Sequence, residues 1–126
     1  MPKTSKETAT QVAELGSLES RSDRLGDYTV EFTTFREDGD ATPFFVGLPD
    51  DRCQSRHWGY VIRGELTLRY ADRDEVYARG DAYYAPPGHI PIVTAGTEIV
   101  EFSPTEEYSR TLEILERNLA ASLHDG

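Results

Sequence analysis

Between Tyr28 and Phe102 the chain breaks into short runs rich in β-branched and aromatic residues, and that pattern constrains the fold most. Tyr28-Thr-Val-Glu-Phe-Thr-Thr-Phe35 alternates with the period of a strand. Thr42 to Val46, His57 to Arg63, Glu65 to Tyr70, Glu75 to Ala78, Ala82 to Ala85, Ile90 to Thr94 and Glu98 to Phe102 are further candidates. Glu37-Asp-Gly-Asp40, Ala71-Asp-Arg-Asp74, Arg79-Gly80-Asp81, Pro86-Pro-Gly88 and Ala95-Gly96 supply turn chemistry between them. Many short strands with evenly spaced turns predict an antiparallel sandwich or barrel.

The end of the chain obeys a different period. Ser103-Pro104-Thr105-Glu106 has the form of a capping box with proline at the first helical position, so the Ser103 hydroxyl is expected on the Glu106 amide. Tyr108, Leu112, Leu115, Leu119 and Leu123 then make one apolar stripe, predicting a helix over about 104 to 122. The stripe is expected to pack on its own barrel, while Ile114, on the opposite side, leaves room for a subunit contact. Residues 1 to 24 read as a polar tail and an ambiguous lead-in, and 25 to 126 as one domain.

Composition sets the outer bounds. A chain of 126 residues can bury one core and not two. With 23 acidic against 13 basic residues the net charge is -10, the wrong sign for binding nucleic acid. There is no apolar run of about 18 residues to span a membrane. Met1-Pro-Lys-Thr-Ser-Lys lacks the apolar stretch of a signal peptide, so a cytoplasmic protein is expected. The single cysteine, Cys53, makes no internal disulfide and is a packed hydrophobe, a ligand or a reactive thiol.

Two runs carry the chemistry. The first is Cys53-Gln-Ser-Arg-His57-Trp-Gly-Tyr-Val-Ile-Arg-Gly64, and the second is Gly80-Asp-Ala-Tyr-Tyr-Ala-Pro86-Pro-Gly88-His89. Together they resemble the two motifs of the cupin family. The second matches through Gly80, Pro86 and Gly88, although the family's histidine position falls on Pro91 and a histidine stands two places earlier, at His89. Counting back from Gly64 puts His57 where the family has glutamate, and Cys53 and Asp51 where it has its two histidines. The resemblance covers residues 50 to about 103. It implies an all-β fold, a cupin-type antiparallel β-barrel (double-stranded β-helix or jelly roll) with the helix appended, and a metal site whose ligands have been rewritten.

Strand parity lets Asp51, Cys53 and His57 point one way. His89 shares the parity of position 91 but lies about 7 Å short of it along an extended chain, so a loop adjustment is needed to bring it to the same ion. The expected ligand set is Cys53, His57 and His89, one sulfur and two imidazoles suited to zinc, and also to iron, copper or nickel. Asp51 in place of Cys53 would give the two-histidine, one-carboxylate set of non-haem iron. The alternative for each is structural: a packed thiol, a hydrogen-bonded core histidine at 57, a turn-capping histidine at 89. His124 reads as a solvated tail residue.

Strand-borne aromatics are expected to line a small apolar pocket, with Tyr84 as the residue to orient a ligand or move a proton near His89. Two functions follow. One is a cupin that binds a metal ion, a small organic molecule or both; the other is a metal-dependent dioxygenase, isomerase or lyase. A homodimer is expected from the resemblance and from the free edge assumed for Tyr28 to Phe35.

Overall fold

The computed structural model describes residues 2–125, with the side chains at 15 and 122–125, and so those of Leu123 and His124, outside the description. Ten strands follow in order: β1 (Gln11–Leu15), β2 (Leu18–Leu25), β3 (Tyr28–Phe35), β4 (Gly39–Asp40), β5 (His57–Arg63), β6 (Glu65–Arg69), β7 (Asp74–Ala78), β8 (Ala82–Ala85), β9 (Ile90–Val93) and β10 (Glu98–Pro104). Helix α1 (Thr105–Asp125) ends the chain. The strands form two antiparallel sheets, β1-β2-β3-β10-β5-β8 and β4-β9-β6-β7, which enclose the interior as a jelly roll whose sides are not hydrogen-bonded shut.

Alternation decides which side chains enter that interior. Along β5, Val61 is fully buried and His57 nearly so, whereas Trp58 and Tyr60 face out. Leu66 and Leu68 of β6, Tyr83 and Ala85 of β8, Val93 of β9 and Ile99 of β10 join Val61 in the main core. A second, smaller cluster of Phe45, Cys53 and Ile90 packs with Leu115 of α1. Gly59 stands opposite both Tyr83 and Glu101, and a Cβ there would come within 2.3 Å of the Tyr83 ring. The missing side chain is what lets Tyr83 lie across β5.

Five expectations are corrected. Residues 11 to 25 form β1 and β2, because eight register pairs with β3 satisfy the backbone of a strand too charged to show an apolar pattern. Thr42–Phe45 is a 3-10 turn rather than a strand: Pro43 has no amide for a ladder and suits the first turn of a helix. The capping box does not form, since Ser103 is still in β10 and its hydroxyl lies against His57. Strand β3 is flanked by β2 and β10, so it has no free edge and lends no support to a dimer. Ile114 approaches Gly47 of the chain's own loop, where the Asn118 amide donates to the carbonyls of Phe44 and Val46.

Candidate metal and ligand site

Cys53 lies outside the regular strands. Its amide donates to the His89 carbonyl at 2.9 Å and its carbonyl accepts from Gly88 at 2.8 Å, an isolated antiparallel bridge that sets the two residues side by side. Gly88, with φ of 101°, takes the left-handed turn this needs. His57 comes from the start of β5, where it pairs with Ala85 of β8. The loop adjustment that His89 required is therefore the bridge itself. The donor atoms of Cys53, His57 and His89 lie within 4.8 Å of one another, on residues 2%, 6% and 2% exposed.

Hydrogen bonds fix what each ring offers. His89 Nδ1 is 2.8 Å from the Pro86 carbonyl, which can only accept, so that nitrogen carries the proton and Nε2 keeps its lone pair. Among the described residues nothing bonds to His89 Nε2. His57 Nδ1 is 2.6 Å from the Ser103 hydroxyl and its Nε2 is 3.5 Å from Cys53 Sγ. Burial depresses both histidines to about 4; nearby Glu31 and Glu107 oppose this at His57, and at His89 the neighbouring ring adds to it. Both imidazoles are neutral at pH 7. Burial also pushes the Cys53 thiol up to about 12, against a backbone hydrogen bond from Ser55 that favours the thiolate.

That donor set allows a metal ion. Neutral imidazoles are the ligating form, and a bound cation would displace the thiol proton. Zinc bonds of ordinary length to sulfur and nitrogen at a tetrahedral angle put the two donors about 3.6 Å apart. The 3.5 Å between Sγ and His57 Nε2 matches that separation. Asp51 is elsewhere: it sits at positive φ in an exposed turn, and its carboxylate accepts from the Gly47 amide. Tyr84 is on the outer face of the sheet, 44% exposed and packed on Trp58 with centroids 5.0 Å apart, so the role expected of it inside the barrel is corrected.

The three residues border a cavity of about 190 Å³. Its walls are mostly apolar, from Phe35, Phe45, Leu66, Leu68 and Ile99, and the α1 stripe covers one side through Leu112, Leu115 and Leu119. Two carboxyl groups also reach it, Glu31 of β3 and Glu101 of β10. Glu31 accepts from the hydroxyls of Ser20 and Tyr108, both at 2.6 Å, and Glu101 from Tyr83 at 2.7 Å. Burial raises the Glu101 carboxyl, with the Tyr83 hydroxyl and His89 pulling the other way. Sequence reading missed Glu31, Glu101, Ser103 and Tyr108. The available signal was polar residues recurring at one parity in strands, Glu101 with Ser103 and Glu31 with Thr33, but parity alone does not say which face is inside.

No protein-family model matches the sequence, and no curated protein does. Solved structures do match the fold. An RmlC-like cupin from Shewanella frigidimarina NCIMB 400 is 18% identical over 80% of this chain and 88% of its own, with a TM-score of 0.56. KdgF from Halomonas sp. is 17% identical over 75% of this chain and 86% of its own, at 0.54. A cupin superfamily protein from Desulfitobacterium hafniense DCB-2 is 10% identical over 73% and 81%, at 0.53. The fold is that of the cupin superfamily, as the two sequence motifs implied.

Proposed function

We propose that this protein is a metal-binding cupin that holds a divalent cation on Cys53, His57 and His89 and takes a small organic molecule into the adjoining cavity. The observation that carries the reading is the buried convergence of one sulfur and two imidazole donors, with His89 Nε2 free to bind. A structural histidine normally has both nitrogens engaged when buried. Zinc suits the sulfur-containing set, with iron, copper or nickel as alternatives. Bound there, the ion would supply Lewis acidity at the cavity wall. The Pro86 carbonyl orients His89, Ser103 orients His57, and the apolar walls exclude water.

A second reading, a metal-dependent enzyme, is favoured by Glu101. A carboxyl whose affinity for a proton is raised inside the cavity is suited to proton transfer, the part first given to Tyr84. A cytoplasmic setting belongs to the same proposal, and among the described residues no helix is long and apolar enough to cross a membrane. The homodimer is proposed on the family resemblance alone; a mass of 14.2 kDa by light scattering would remove it.

Calorimetric titration of zinc into chelator-stripped protein tests the metal. Wild type should bind with large heats and gain thermal stability, since an ion that binds only the folded state stabilises it. His57→Ala should lose at least about a hundredfold in affinity, more than the 10–100-fold typical of second-shell changes. Equal weak heats from both proteins would leave His57 as a core histidine.

A further inference from the structure

The polar end of the cavity holds two carboxyl groups that the metal reading does not use. Glu31 and Glu101 are direct partners across the β3/β10 register, so their side chains leave the sheet on one face. Directly opposed like charges destabilise a sheet, and a carboxyl out of water needs either a positive partner or a proton, the direction in which burial pushes Glu101. Among the described residues no Lys or Arg lines the cavity. Neither carboxyl belongs to the converging Cys/His/His set.

The protein has held this pair in place with hydroxyls rather than cations. Ser20 and Tyr108 both donate to Glu31 Oε2, and Tyr83, lying over Gly59, donates to Glu101 Oε2. Among the described residues no donor reaches Oε1 of either carboxyl. Hydroxyls fix the orientation of the pair without neutralising it. A divalent ion with one thiolate would add a single net positive charge beside the pair, still fewer than two carboxylates carry when ionised.

We infer that Glu31 and Glu101 form the recognition site for the cationic or hydrogen-bond-donating end of a small apolar molecule, most simply a primary ammonium on a hydrocarbon body. A carboxylate ligand would have to sit against both acids. The apolar walls fit the body: a cavity of about 150 Å³ holds benzene, so the 190 Å³ here takes one ring or a short chain of similar size. In the metal-free protein His89 Nε2, on a residue 2% exposed, is the third polar atom without a partner that faces the same space. This inference names the ligand class of the proposed small-molecule site and rests on that part of the reading; it does not require the metal.

The test uses the whole protein, stripped of metal and kept in chelator at neutral pH, so that an amine cannot bind through an ion. Cyclohexylamine, cyclohexanol and cyclohexanecarboxylate share one hydrocarbon body and are titrated in turn by calorimetry. The amine should bind at least about tenfold more tightly than the carboxylate, the ratio that 1.4 kcal/mol produces, with the alcohol between. Glu31→Gln keeps the shape and should lower amine affinity by about tenfold or more, the scale of a hydrogen bond to a charged group, while leaving the alcohol little changed. If that variant fails to fold, Glu101→Gln answers the same question. Carboxylate binding as tight as amine binding, equal affinities for all three, no binding of any, or an equal loss of amine and alcohol in the variant would each overturn the inference. The zinc titration with His57→Ala decides the metal separately, so the two can fail independently.

Discussion

The two ends of the barrel interior use the same strands to opposite effect. Along β5 the inward row runs His57, Gly59, Val61, and along β10 it runs Ser103, Glu101, Ile99. Toward Val61 and Ile99 the row is apolar, packed by Leu66, Leu68, Tyr83 and Val93. Toward His57 and Ser103 it is polar and borders open space, and α1 is needed to cover it. Gly59 is the transition, where Tyr83 crosses the strand to tie the first polar group, Glu101, to the packed end. A strand can thus carry stability at one end and a site at the other, because each inward position is about 7 Å from the next on its face.

If the packed end carries the stability, breaking it should have the largest effect. Leu66→Ala, at a side chain 1% exposed, should cost 2–5 kcal/mol in chemical denaturation, roughly the range for large-to-small core changes. A loss under about 1 kcal/mol would mean that the packing is looser than the contacts describe.

The polar end should show itself through pH. In metal-free protein His57 and His89 are held to about 4, below their value in the unfolded chain, so the unfolded state takes up protons first as pH falls. Stability is therefore fullest above about pH 6.5 and declines as pH falls toward 4, by about 3 kcal/mol for one such imidazole. Thermal melts of wild type and His89→Gln across that window check this. The variant should have the shallower slope, and identical slopes would show that the acids, not the imidazoles, set the dependence.

Smaller effects sharpen the boundary of the site. Ser103→Ala removes the hydroxyl on His57 Nδ1 and should weaken zinc by 10–100-fold, roughly the cost of losing an orienting partner, with little change in the melt of the metal-free protein. Asp51→Asn should leave zinc affinity unchanged by calorimetry, because its carboxylate serves the Gly47 turn. A large loss there would return Asp51 to the ligand set.

Strand parity, turn spacing and the helical stripe carried the fold, since period and punctuation are local properties of the chain. They failed where tertiary context overrode them. The charged strand β2 exists only because β3 offers it a partner, and the Ser103-Pro-Thr-Glu106 box gave way because a histidine 46 residues earlier claimed the hydroxyl.

The candidate site divides the same way. Residue types alone nominated Cys53, His57 and His89, because sulfur and imidazole are ligand chemistry wherever they stand. That they meet depends on the Cys53–His89 bridge, a long-range pairing no spacing rule encodes. Tyr84 and Tyr83 are adjacent and chemically alike, yet the pleat turns one to solvent and the other to Glu101. Sequence determined which groups were available and with what period; the closing of two sheets and a helix around 190 Å³ decided which of them face one another, because inside and outside exist only once the chain has folded.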